Sequence, residues 1–134
     1  MNKIEHIGIA IKDMDSAIKI YEQLLNTKCY NVENVESEGV KTAFFKIGDS
    51  KIELLEATNP DSPIAKFIEK RGVGMHHIAF DVTDIESEIE RLISQDFQLI
   101  QKTAKNGADN KKIAFLHPKS TAGLLVELCQ ERTD

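Results

Sequence analysis

Cysteine is nearly absent from this chain: Cys29 and Cys129 are the two among 134 residues. Two isolated cysteines make neither a disulfide framework nor a thiolate metal site, so a reduced, cytoplasmic setting is the simpler expectation. Long apolar runs are missing as well. None approaches the roughly 18 residues that a membrane-spanning helix needs, so no membrane association is expected. Met1 to His6 show no basic-then-apolar layout of a secretory signal. Positive charge is in deficit, with 17 Lys and Arg against 22 Asp and Glu and a net charge of −5. Without a basic stripe, nucleic acid is an unfitting partner. A small anionic ligand is not excluded, because a few lysines can form their own patch. What is present suits an ordinary soluble core: 41% of residues are apolar, in one domain's worth of chain or two half-domains sharing a core.

The chain says nearly the same thing twice. His6-Ile7-Gly8-Ile9-Ala10-Ile11 leads into Lys12-Asp13-Met14-Asp15-Ser16-Ala17-Ile18, and His77-Ile78-Ala79-Phe80-Asp81-Val82 into Thr83-Asp84-Ile85-Glu86-Ser87-Glu88-Ile89. The offset is 71 residues, with His, Ile, Asp, Ser and Ile recurring in register. Each copy is later closed by an acidic strand, Ile52-Glu53-Leu54 and Val126-Glu127-Leu128. There the offset is 74, because the final hairpin is longer.

Alternation predicts a first strand over 3–11. Asp13 or Asp15 then caps a helix whose stripe is Ala17, Ile18, Tyr21, Leu24 and Leu25. Strands follow near 29–35, from Gly39 through Phe45, and over 51–56 after the Gly48-Asp49-Ser50 turn. Ser62-Pro63 starts a linking helix, with Ser as cap and Pro at its first position, and Gly72 ends it. Ser62 to Lys70 reads as a packing element. The second copy repeats the plan: strand 75–82, a helix capped by Asp84 with Ile85, Ile89, Leu92 and Ile93 on one side, then strands near 97–101, 112–117 and 124–129. The fold class is therefore α+β, with two tandem βαβββ modules in one domain over residues 1–134. Module one covers about 1–58, the helical linker about 59–73 and module two about 74–134.

Strand parity puts His6 on the face of Gly8 and Ala10, and His77 on that of Ala79. Glu53 and Glu127 lie opposite their apolar neighbours. His76 points the other way and is the weaker ligand candidate. Cys129 shares the parity of Glu127, as a small buried filler. Two His and two Glu on one inner face are costly to bury unpaired, and a divalent cation offsets that cost. Two imidazoles and two carboxylates without thiolate suit Co, Ni, Mn, Zn or Fe.

At these residues the chain resembles the vicinal oxygen chelate superfamily, and within it the methylmalonyl-CoA epimerase branch. The stretches that carry the resemblance are His6-Ile-Gly-Ile-Ala, Ile52-Glu-Leu-Leu-Glu, Asp61-Ser-Pro-Ile-Ala-Lys-Phe, Gly74-Met-His-His-Ile-Ala, Ile113-Ala-Phe-Leu-His-Pro-Lys-Ser and Leu125-Val-Glu-Leu. The resemblance implies a cupped, metal-containing sheet and the metal ligands His6, Glu53, His77 and Glu127. It implies interconversion of (R)- and (S)-methylmalonyl-CoA, and a homodimer. Glu127 matches one base of the family. Some members have Gln where this chain has Glu53. Some carry a second base, a glutamate, three residues after the Gly that opens the third strand, where this chain has Thr42. Threonine is not competent for that proton, which leaves Glu53 or a water.

The chemistry requires a proton to leave the carbon α to a thioester and to return on the opposite face. An acyl-CoA substrate also calls for a basic patch, for which His117, Lys119, Lys111 and Lys112 are the candidates. The competing readings keep the same metal set or lose it. They are a glyoxalase I-type lactoylglutathione lyase, a dioxygenase using two His and one carboxylate, and a metal-free binding protein of the bleomycin-resistance kind.

Overall fold

Each of the two sequence repeats becomes a four-stranded sheet with a helix on one face. The computed structural model describes residues 1–133. The first unit runs from His6 to His76; the second comprises Met1–Glu5 and the residues from His77 onward.

The elements of the first unit are β1 (Lys3–Ala10), α1 (Met14–Leu25), β2 (Asn31–Val35), β3 (Val40–Ile47), β4 (Ser50–Ala57) and α2 (Pro63–Arg71). Residues 3–5 of β1 count with the second unit. Spatially the strands run β2-β3-β4-β1. β1 lies parallel to β4, which a crossover through α1 requires, and the other pairs are antiparallel. The Asp13 carboxylate caps α1, accepting the Ser16 N–H at 3.4 Å and its hydroxyl at 3.0 Å. α1 lays Met14, Ala17, Ile18, Tyr21 and Leu25 over the strand residues Ile9, Ala43, Phe45, Ile52 and Leu54. Leu24, expected in that stripe, is 70% exposed. Its position falls past the edge of the face that Tyr21 and Leu25 define.

The elements of the second unit are β5 (Gly74–Asp81), α3 (Ile85–Ser94), β6 (Lys105–Gly107), β7 (Lys111–Leu116) and β8 (Leu125–Glu131); Gly74 to His76 count with the first. The order β5-β8-β7-β6 and the strand directions repeat those of the first unit. Asp84 caps α3 through Ser87 as Asp13 does through Ser16, at 3.2 and 2.9 Å. Ile85, Ile89 and Leu92 pack on Ala114, Leu116, Val126 and Leu128, whereas Ile93 is exposed.

The strand expected near 97–101 is a correction. Leu99 makes only a single bridge, to Leu116, and the strand itself lies at Lys105–Gly107. The alternation at 97–100 has a different cause: Phe97 and Leu99 turn into the core under α3. The backbone there bonds the end of β7 through Ile100 N–H to the Phe115 carbonyl at 2.8 Å and leaves before a ladder can form.

The linking helix α2 belongs to the first unit. Ser62 caps it, Pro63 opens it, and Ile64, Phe67 and Ile68 cover Ala10, Val40, Leu55 and Ala57 on the sheet face away from α1. Gly39 makes this possible. It sits at φ +65°, and a β-carbon there would come within 2.7 Å of the Asn59 amide and 2.8 Å of Ser62.

Candidate metal and catalytic site

Each unit buries one His–Glu pair on the sheet face away from its α1 or α3 helix. In the first, β1 carries His6 and β4 carries Glu53, and parallel register sets Gly8 beside Glu53. The missing side chain at Gly8 lets the carboxylate reach along β1 to the imidazole. His6 Nε2 and Glu53 Oε1 are 3.2 Å apart, with side chains 6% and 8% exposed. In the second, Ala79 lies beside Glu127, and His77 Nε2 is 3.1 Å from Glu127 Oε1, with side chains 4% and 6% exposed.

A phenylalanine completes each pair. Phe44 of β3 stands directly across from Glu53, with its ring edge-on to His6 at 6.3 Å and 84°. Phe115 of β7 stands across from Glu127, with its ring 5.9 Å from His77 at 83°. These rings pack edge-on against the imidazoles and contribute to the burial of each pair. The sequence carries a signal for them that composition does not show: Phe44 and Phe115 are again 71 residues apart.

The donor chemistry fits a divalent ion. Two N or O donors bound to one such ion at about 2.1 Å lie roughly 3.0–3.4 Å from each other. Both pairs have that spacing, both are buried, and both consist of one imidazole nitrogen and one carboxylate oxygen.

His76 is not part of either trio. Its ring packs edge-on against Phe67 of α2 at 4.8 Å. Thr42 of β3 shares the face of Phe44 and is 1% exposed. Its Oγ1 has no hydrogen-bond partner among the described residues. Cys129 is fully buried in a small cluster with Ala79 and Ile113.

The four basic candidates do not form one patch. Lys111 and Lys112 are successive residues of β7 and so face opposite ways. Lys111 is buried, its Nζ 3.8 Å from Glu5 Oε2, and that carboxylate is itself 2% exposed. Lys112 reaches across the helix side of the sheet to Glu86, at 2.8 Å. That contact is the main cause holding the Glu86 carboxyl below its ordinary range. The expected patch divides because side chains alternate along β7. His117 and Lys119 do lie together: the Lys119 N–H donates to His117 Nδ1 at 3.1 Å in the turn after β7.

Residues 5–115 match the family model described as Glyoxalase/Bleomycin resistance protein/Dioxygenase superfamily, and the chain belongs to that superfamily. An uncharacterised protein of Bacillus subtilis is 42% identical over 134 residues, 100% of this chain and 96% of its own length. The mitochondrial methylmalonyl-CoA epimerase of Homo sapiens is 34% identical over 97% of this chain and 74% of its own length. A variant of the Streptomyces coelicolor methylmalonyl-CoA epimerase, solved with 2-nitronate-propionyl-CoA, superposes with a TM-score of 0.96 at 32% identity, covering 99% of this chain and 96% of that one. Within the superfamily, the chain belongs to the methylmalonyl-CoA epimerase family.

Proposed function

We propose that this protein is a metal-dependent epimerase that interconverts (R)- and (S)-methylmalonyl-CoA. The observation that carries the reading is the buried His–Glu pair present in both units, at 3.2 and 3.1 Å, in a chain of the epimerase family. His6, Glu53, His77 and Glu127 together are the ligands of one divalent ion, drawn from Co, Ni, Mn or Zn. When bound, that ion supplies positive charge for the negative charge that develops on the thioester oxygen.

The residues do the rest. A carboxylate takes the proton from the α-carbon, the electron pair delocalises into the thioester carbonyl as an enolate, and a proton returns to the opposite face. Glu127 is proposed as one of the two proton-transfer groups as well as a ligand. Phe44 and Phe115 hold the imidazoles in one orientation, and Gly8 and Ala79 leave room beside the carboxylates. His117 and Lys119 are the proposed contacts for the phosphates of CoA; Lys111 and Lys112, each already facing a carboxylate, are not. No helix among the described residues is long and apolar enough to cross a membrane. The family resemblance adds a cytoplasmic homodimer to the reading, which sedimentation reads as twice the 15.0 kDa of the chain.

The test is incubation of (R)- or (S)-methylmalonyl-CoA with the metal-loaded protein in D2O, following α-deuterium incorporation and inversion. Both are expected. An absence of exchange with Co, Ni, Mn and Zn alike, or turnover confined to a glutathione hemithioacetal, would overturn the epimerase reading.

A further inference from the structure

Inversion at a carbon needs two proton-transfer groups, because a single one exchanges the proton without changing configuration. Resting on the epimerase reading, we propose that Glu33 is the second group, with Thr42 as the hydroxyl that anchors the substrate beside it.

The register of the first sheet carries the argument. Antiparallel pairing sets Glu33 of β2 across from Thr42, and Thr42 across from Leu55. The next rung runs Asn31, Phe44, Glu53. Residues two apart on a strand share a face, so Glu33 and Thr42 lie on the face of Glu53 and His6. Glu33 and Glu53 are the carboxylates that the strands place there. Glu53 stands against the His6 imidazole as a proposed ligand, and its loss would remove the metal site along with any base. Glu33 lies away from that pair. Its Oε1 accepts from Asn31 Nδ2 at 2.6 Å, which draws the carboxylate along β2 toward the rung of Phe44 and Glu53. It is half-buried, so a substrate can reach it.

Thr42 supplies the second observation. Its hydroxyl is buried and makes no hydrogen bond among the described residues, an unfavourable state for a polar group taken out of water. A substrate carboxylate or thioester oxygen accepting from it offsets that cost. A threonine hydroxyl cannot itself act as the base near neutral pH, but it can hold the reacting carbon next to a carboxylate that can. The second unit lacks this device. The matching rung there holds Lys105, Ile113 and Cys129, so Glu33 and Thr42 are features of one half only.

The experiment compares wild type, Glu33→Gln, Glu33→Asp and Thr42→Val in D2O, starting separately from each epimer. Metal content and thermal melting are measured alongside. Glu33→Gln is expected to bind metal and melt like wild type and to lose inversion by at least about 100-fold. It should still exchange the α-proton of one epimer with retention of configuration, through the remaining base. Glu33→Asp restores part of the inversion, and Thr42→Val raises KM more than it lowers kcat. An E33Q protein that inverts near the wild-type rate overturns the proposal, as does one whose exchange from both epimers falls together. Wild type exchanging neither epimer would instead overturn the epimerase reading and this inference with it.

Discussion

The two units agree residue for residue where an ion would be held and differ one rung away. His6, Phe44 and Glu53 repeat as His77, Phe115 and Glu127, with matching pairings and nearly equal distances. The helix caps repeat too, Asp13 with Ser16 and Asp84 with Ser87. The next rung breaks the repeat: Glu33, Thr42 and Leu55 in the first unit, Lys105, Ile113 and Cys129 in the second. The proposed metal centre takes the same donor types from each half, which duplication preserves. Proton transfer to an asymmetric acyl-CoA has no such symmetry, and the second group proposed for it, Glu33 with Thr42, lies where the halves diverge.

The two inner faces are also closed differently. In the first unit α2 covers Ala10, Leu55 and Ala57. The second has no such helix among the described residues, and at the position matching Ala10 it carries Asp81. Met1–Glu5 tie into that unit instead. Asn2 donates from its backbone to the Asp81 carbonyl at 2.8 Å and from its amide to the Asp81 carboxylate at 2.9 Å, while Glu5 faces buried Lys111.

The comparison can be broken most sharply at the histidines. His6→Ala and His77→Ala should each remove bound metal and lower kcat/KM by several orders of magnitude, whereas His76→Ala keeps the metal; metal analysis and D2O exchange read both. A His6→Ala protein with full metal and activity would mean that the halves are not equivalent. Next in size, Lys111→Met leaves the Glu5 carboxylate buried without its cation and should cost about 3 kcal/mol in urea unfolding. Glu5→Gln with Lys111→Met should recover most of that. A double variant no more stable than Lys111→Met alone would contradict the coupling of the pair.

The smallest effects test the caps. The N–H of Met14 donates to Glu56 at 2.7 Å, and that of Ile85 to Gln130 at 2.8 Å. Glu56→Ala and Gln130→Ala should each cost about 1 kcal/mol, and Glu56→Gln close to nothing, since Gln already does this in the other half. The Asp84 carboxyl is held below its ordinary value of 3.8, first by the Ser87 N–H and then by its hydroxyl. A carboxyl with a lowered folded pKa gives its stabilisation in full above the ordinary value and loses it as pH falls through the lowered one. The protection of the Ser87 amide, measured as its exchange rate relative to that of an unstructured peptide at the same pH, should therefore fall only in that acid range. A loss of protection already near neutral pH would contradict the cap.

The repeat made much of this legible in advance. A 71-residue offset with His, Asp and Ser in register announced two βαβββ units, the caps and one imidazole in each. Parity placed Glu53 and Glu127 because one-sided alternation is strong in β4 and β8. What stayed hidden depends on pairing partners rather than on one strand's own pattern. Phe44 and Phe115 matter through the carboxylate across the ladder, and Glu33 through Thr42. Lys111 looks like surface charge until β7 turns it inward against Glu5, and Leu99 looks like a strand residue although its alternation serves the core.

One measurement tests most directly the claim that the duplicated pairs act as a single centre. Metal-free protein is titrated with Co or Zn by calorimetry, for wild type, His6→Ala and His77→Ala. The account predicts one ion per chain in wild type and loss of that binding in either variant. Two ions per chain, or one ion still bound with wild-type affinity after the loss of either histidine, would contradict it.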